Sequence, residues 1–273
     1  MNKQKKLWIG VSAITFAGLA TLNGCSSETQ SDAREVNGAG YTSPNMIIAD
    51  EGEGEGASDA AGLETDDLAY LTQLGLMRGH LYVGYSLYQA DHVEHAKTHM
   101  KHPKSELYAA IEPAFAARGV AGFATELQRL ASLVGAGAEK SIVAHAYNEL
   151  MEAIGHAEQG VNTQAQTSAM QLKRVVELLR VAGEEYAIAV VDGQLSNAHE
   201  YQDALGFTTI AKQLIASGRT QEGDAGEASA KAARIIDELA AMWPSLIPPL
   251  TLDTDAGALY GAAAKIELLA NGL

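Results

Sequence analysis

From Leu63 to the C-terminus, apolar residues return at three- and four-residue spacing, and no stretch alternates apolar and polar with period two. That pattern is the signature of amphipathic helix and leaves little room for sheet. The same segment is rich in Ala, Leu, Glu and Gln, whose side chains lose little freedom in a helix. Start and stop residues divide it. Thr65 and the acids after it open a first helix that runs to residue 90. Residues 91–102 form a second, ended by Pro103, which itself suits the first turn of a third closed at Arg118-Gly119. A fourth is expected over 121–134, a fifth over 138–159, and a sixth over 165–191, stopped by Asp192-Gly193. The seventh begins at Asn197, where Glu200 three residues on makes a capping-box pattern. An eighth spans 225–243 and a short final helix 255–270. Short turns imply antiparallel neighbours. The expected fold is all-α, about eight helices in antiparallel hairpins stacked as a bundle or short solenoid. Gly75 and Gly79, four apart on the first helix, would let a neighbouring helix approach closely.

The N-terminus reads as an address. Lys3, Lys5 and Lys6 precede the apolar run 7–22, which is short for a bilayer span of about 20 residues. The run ends in Leu22-Asn23-Gly24-Cys25, which resembles the bacterial lipobox. The resemblance implies a signal peptide over 1–24, diacylglycerol on the Cys25 sulfur, and a further acyl chain such as palmitate on the new amino terminus. Two or more chains anchor stably where one does not. Ser26 after the cysteine implies an outer-membrane lipoprotein facing the periplasm. Residues 26–64, mostly Ser, Gly, Asp and Glu, cannot offset the entropy of ordering and read as a disordered acidic tether with a reach of roughly 35 Å. Met46 to Ala49 is its one apolar spot. The helical domain then occupies 65–273.

A net charge of −15 excludes nucleic acid as a partner. Cys25 is the only cysteine, so no disulfide forms and no thiolate is left for catalysis. No nucleophile elbow, P-loop, HExxH or dinucleotide fingerprint appears, so the chain is not expected to be an enzyme.

Its histidines cluster. Residues 91–102 hold four of the eight, and His92, His95, His99 and His102 fall on one helical stripe about 80° wide that flanks the apolar residues Val93, Ala96 and Met100. Imidazoles at that spacing converge on one ion if an adjacent helix contributes, and His80 on the preceding helix is placed to do so. A second stripe is narrower: His145, Glu149, Glu152 and His156 span about 60°, opposite the apolar face of their helix, with no Lys or Arg among them. Two histidines and two glutamates suit iron, zinc or manganese. For each stripe taken alone a wet polar face is the more ordinary explanation, and as a metal site the second, narrower and mixed in donor type, is favoured over the first. His199 and Asp203, four apart, are one further ligand pair.

Residues 184–207 carry Tyr186 on a helix that ends at Asp192-Gly193, then Asn197 and the pair Glu200-Tyr201. This arrangement resembles the soluble helical extension of bacterial iron permeases of the FTR1 family. The permease signature Arg-Glu-x-x-Glu is absent, so the resemblance implies an accessory role near iron and not transport. Two functions remain open. One is a lipid-anchored binder of a transition metal, iron before copper or zinc, working in uptake or storage beside a metal transporter. The other is a helical adaptor that binds a protein or envelope component; residues 79–103 have aromatic, Gly and Ala residues in roughly tetratricopeptide order.

Overall fold

The helical period predicted from Leu63 onward is what the chain adopts. The computed structural model describes residues 60–101, 103–162, 166–218 and 222–273; the lipobox, the Met46–Ala49 spot and His102 lie outside them. Among the described residues there are ten α-helices: α1 (Ala60–Thr65), α2 (Asp67–Gln89), α3 (Val93–His99), α4 (Ala109–Ala117), α5 (Ala124–Gly135), α6 (Lys140–Ala157), α7 (Ser168–Ala189), α8 (Ala198–Gly218), α9 (Gly223–Asp237) and α10 (Gly257–Ala270). α7 packs on α8 and α10, and α9 closes against α8 and α10, so these four form a bundle. α2 runs along α8 and α7, with α3 and α6 on its other flanks. Leu74, Met77, Leu81, Val83 and Leu87 of α2 are all fully buried, which makes it the centre of one continuous core.

Three details depart from expectation. The chain is already helical at Ala60, inside the stretch read as tether, because Leu63 buries completely and α1 packs on α4. Six residues are too few to display a period. The real N-cap of α2 is then Asp66, one residue after Thr65, accepting from the Leu68 and Ala69 amides at 2.8 and 3.1 Å. Pro103 opens a six-residue π-helical turn that runs into α4, where an α-helical start was expected. At the foot of α7 the helix stops at Ala189, and Val190–Val191 pairs with Gln194–Leu195 as a two-stranded hairpin. Asp192 and Gly193 turn it with φ of 50° and 73°, the two positive values a two-residue hairpin turn demands. α3, at seven residues against twenty-three in α2, is no equal partner for a helical-repeat hairpin.

Candidate metal centre

Close helix packing creates the site. A Cβ on Gly206 of α8 would lie 2.5 Å from the Gly79 carbonyl of α2, so the two backbones touch there. The approach expected at Gly79 is thus made by α8. One residue later on α2, His80 is completely buried, its ring edge-on to Phe207 at 5.0 Å. α3 packs on α2 at Gly84 and brings in its last residue, His99, also completely buried. Asp203 of α8 stands between them with no exposure. Its Oδ1 is 2.6 Å from His80 Nδ1 and 3.0 Å from His99 Nδ1. On the far side, His199 Nδ1 is 3.1 Å from Asp203 Oδ2 and 3.8 Å from Glu200 Oε2. Glu200 in turn shares a hydrogen bond with the buried Glu185 of α7.

The start of α8 places these groups. Asn197 caps it, accepting from the His199 amide at 2.9 Å, while its own amide group donates to Glu200 at 3.2 Å. One turn of helix then sets His199, Glu200 and Asp203 on one side, at spacings of three and four.

Electrostatics sorts the donors. Burial opposes the Asp203 charge, but His80, His99 and His199 outweigh it and hold the carboxyl well below its usual range. Burial also works against a charged His199, yet Asp203 and Glu200 prevail and raise its pKa. His99 goes the other way: burial dominates over Asp203 and lowers the imidazole pKa. A neutral imidazole donates through one nitrogen. His99 Nε2 faces the Gln202 side-chain carbonyl at 2.9 Å, and that amide is oriented because its nitrogen donates to the Leu246 carbonyl at 3.1 Å. Gln202 therefore takes the His99 proton on Nε2, as assigned from this network. A neutral His99 in that tautomer would turn its Nδ1 lone pair to the Asp203 carboxylate at 3.0 Å. A proton or a metal cation between them would satisfy both. Donors around a metal with bonds of about 2.0–2.2 Å stand roughly 3.0–3.5 Å apart. The contacts at 3.0 and 3.1 Å already meet this, and the 2.6 Å His80 contact needs to open by about half an ångström. A ligating histidine whose other nitrogen donates to a fixed carbonyl is the usual outer support of such sites.

Of the residues singled out in the sequence, His80 and His99 thus meet, and the His199–Asp203 pair meets them. The other members of the α3 stripe do not. His92 is exposed at the N-cap of α3 and His95 half-buried, their rings edge-on 6.5 Å apart. On α6, His145 Nε2 reaches Glu149 Oε1 at 3.1 Å, but its side chain is 69% exposed. Arg129 from α5 pairs with Glu149, supplying the cation that the α6 stripe itself lacks. Glu149, Glu152 and His156 border an open hollow of about 330 Å³ between α5 and α6. Among the described residues, three metal-ligating groups converge within 4.8 Å in two places only: His80–His99–Asp203 and His199–Glu200–Asp203. Sequence reading took Glu200 only as part of a cap and did not single out Gln202 or Glu185. The signal available was the HExxD order at 199–203, which puts two carboxylates and an imidazole on one helical side. Two tyrosines of α2 serve packing: Tyr85 stacks on Tyr147 at 4.2 Å, and Tyr88 donates to the Ala138 carbonyl.

A family model described as the iron permease-associated 4-helix bundle domain matches residues 161–272. The matched stretch contains α7 to α10 and with them His199, Glu200 and Asp203; His80 and His99 precede it. The likeness read from residues 184–207 therefore extends over a whole four-helix unit. No curated protein and no solved structure matches the chain significantly.

Proposed function

We propose that this chain is a non-catalytic metal-binding protein of the bacterial envelope, lipidated at Cys25, that takes up transition metal at the cluster built by His80, His99, His199 and Asp203. The observation that carries the reading is the convergence of His80, His99 and His199 on the Asp203 carboxylate inside a largely buried cage. Three imidazoles and a carboxylate suit iron, zinc or manganese, and the likeness of α7 to α10 to an iron permease-associated domain favours iron. His95, whose pKa is lowered by its burial and then by neighbouring His92 and His199, offers an imidazole at the rim, and exposed His92 one beyond it. The chain would hold the ion for uptake or storage beside a metal transporter, tethered at the periplasmic face of the outer membrane.

A second reading has its own observation. His80 and His99 both hydrogen-bond to Asp203, so the cluster also pins α2 and α3 to α8 without any ion. Calorimetry on the full chain, purified without a polyhistidine tag, separates the two. The metal reading expects binding of Fe(II) or Zn(II) at about micromolar or tighter. Nothing tighter than about millimolar would leave the cluster a polar pin. For the anchor, Cys25→Ser should release the protein from the membrane fraction or leave it as uncleaved precursor. Normal processing with unchanged membrane association would rule the lipoprotein assignment out.

A further inference from the structure

We infer that the centre holds two ions, with the Asp203 carboxylate bridging them; this rests on the metal-binding reading above. The donors fall into two triads that share only Asp203. His80 and His99 address its Oδ1, and His199 addresses its Oδ2. The rings of His99 and His199 are stacked, 9° from parallel with centroids 4.1 Å apart. Imidazole lone pairs lie in the ring plane, so those of two stacked parallel rings run side by side and do not meet at one point. A single ion about 2.1 Å from one Nδ1 cannot take the other in plane. Two ions, one before each ring, would stand about as far apart as the rings do, and two-metal centres have a spacing of about 3.5–4 Å.

The two positions differ in access. The inner one, at His80, His99 and Asp203 Oδ1, has no exposed ligand. The outer one has His199 and Glu200 side chains 14% and 13% exposed, and the Glu185–Glu200 hydrogen bond lies behind them. The bound species is a pair of divalent first-row ions, the outer exchanging with solvent and the inner enclosed.

The test is a count and a spectrum on the full chain. Titration with Mn(II) or Zn(II) should saturate at two ions per chain. His199→Ala and Glu200→Gln should each leave one, while His145→Ala combined with Glu152→Gln should leave two. With Mn(II), the wild type should show the exchange-coupled spectrum of bridged ions, and His199→Ala the hyperfine pattern of an isolated ion. Saturation at one ion in the wild type overturns the pair and leaves the metal reading standing; no ion at all overturns both. Two ions without exchange coupling, or loss of one in the α6 variant, also overturns the bridge. The wild-type count and spectrum do not depend on any variant folding.

Discussion

The α6 stripe and the cluster between α2, α3 and α8 are made of nearly the same residue types, yet only one of them forms a cage. His145, Glu149, Glu152 and His156 stand on a single helix, where neighbours along a face diverge into solvent. Their one strong partner is Arg129, a cation that occupies the carboxylate a metal would need. His80, His99 and Asp203 come from three helices and point inward at each other, and water is excluded. Convergence of ligands is a tertiary property. A tidy stripe on one helix measures only how polar its outer face is.

The largest expected effect separates these two sets. His99→Ala or Asp203→Asn should weaken metal binding by more than about 100-fold, since each removes a proposed direct ligand where even outer supports are worth 10–100-fold. His145→Ala with His156→Ala should leave the affinity unchanged. Calorimetry with Zn(II) reads both, and circular dichroism at the same temperature checks that helix content is kept. Loss of binding in the α6 double variant would invert the comparison.

How far the sequence displayed this can be said residue by residue. Helix positions were legible because their signals are local: Asn197 caps, Pro103 interrupts, Asp192-Gly193 turns. α1 and the short hairpin were not, since six residues carry no period and Val190-Val191 reads equally as helix end. For the site, His80, His99 and the His199–Asp203 pair were each visible as candidates. What no local rule supplies is that Asp203 sits 123 residues from His80 and 104 from His99 and still touches both. Likewise Arg129 lies on a different helix from the stripe it neutralises. The Gly79 signal was the nearest thing to a long-range clue, because a bare backbone there announced some helix at contact distance.

A smaller effect tests the Gln202 support. Gln202→Leu removes the carbonyl that takes the His99 Nε2 proton and frees the ring to change tautomer. Metal affinity should fall by about 10–100-fold with all ligands still present. An unchanged affinity would mean that the Gln202 contact does not set the tautomer of a ligating His99.

The third effect uses a polar cluster two residues away on α2 as a control. Arg78 and Arg174 clamp Glu158 at 3.1 and 2.8 Å. Burial opposes the Glu158 charge, but Arg174 and Arg78 overcome it and lower the pKa. A carboxyl with a depressed folded pKa stabilises above its unfolded value of about 4.3, and that contribution fades as pH falls through the folded value. Metal loss needs protons on imidazole and should come earlier, as pH falls through roughly 6.5. His199, whose pKa is raised, begins to compete above that. Between about pH 6 and 5 the protein should therefore shed its metal while the clamp and the fold persist. Glu158→Ala, which leaves two half-screened guanidinium groups, should cost about 2–3 kcal/mol, below the fully buried figure because all three side chains keep some water. Thermal melts at pH 7 read this as a drop of about 5–10 °C, without change in metal affinity.

The smallest effect falls on the α6 stripe. Arg129 is half exposed and Glu149 more than a third exposed, so their ion pair is screened by solvent and salt. Exposed pairs contribute about 0.2–1 kcal/mol. Arg129→Ala should therefore lower stability by no more than that, and the loss should shrink at high salt. The same substitution uncovers Glu149 beside His145, Glu152 and His156, which gives that stripe its best opportunity to bind an ion. If Arg129→Ala gains no metal site, its geometry and not its cation keeps the stripe empty. A new ion of affinity comparable to the buried centre would instead show that Arg129 holds a competent site closed, and the contrast between one helix and three would fail as an explanation.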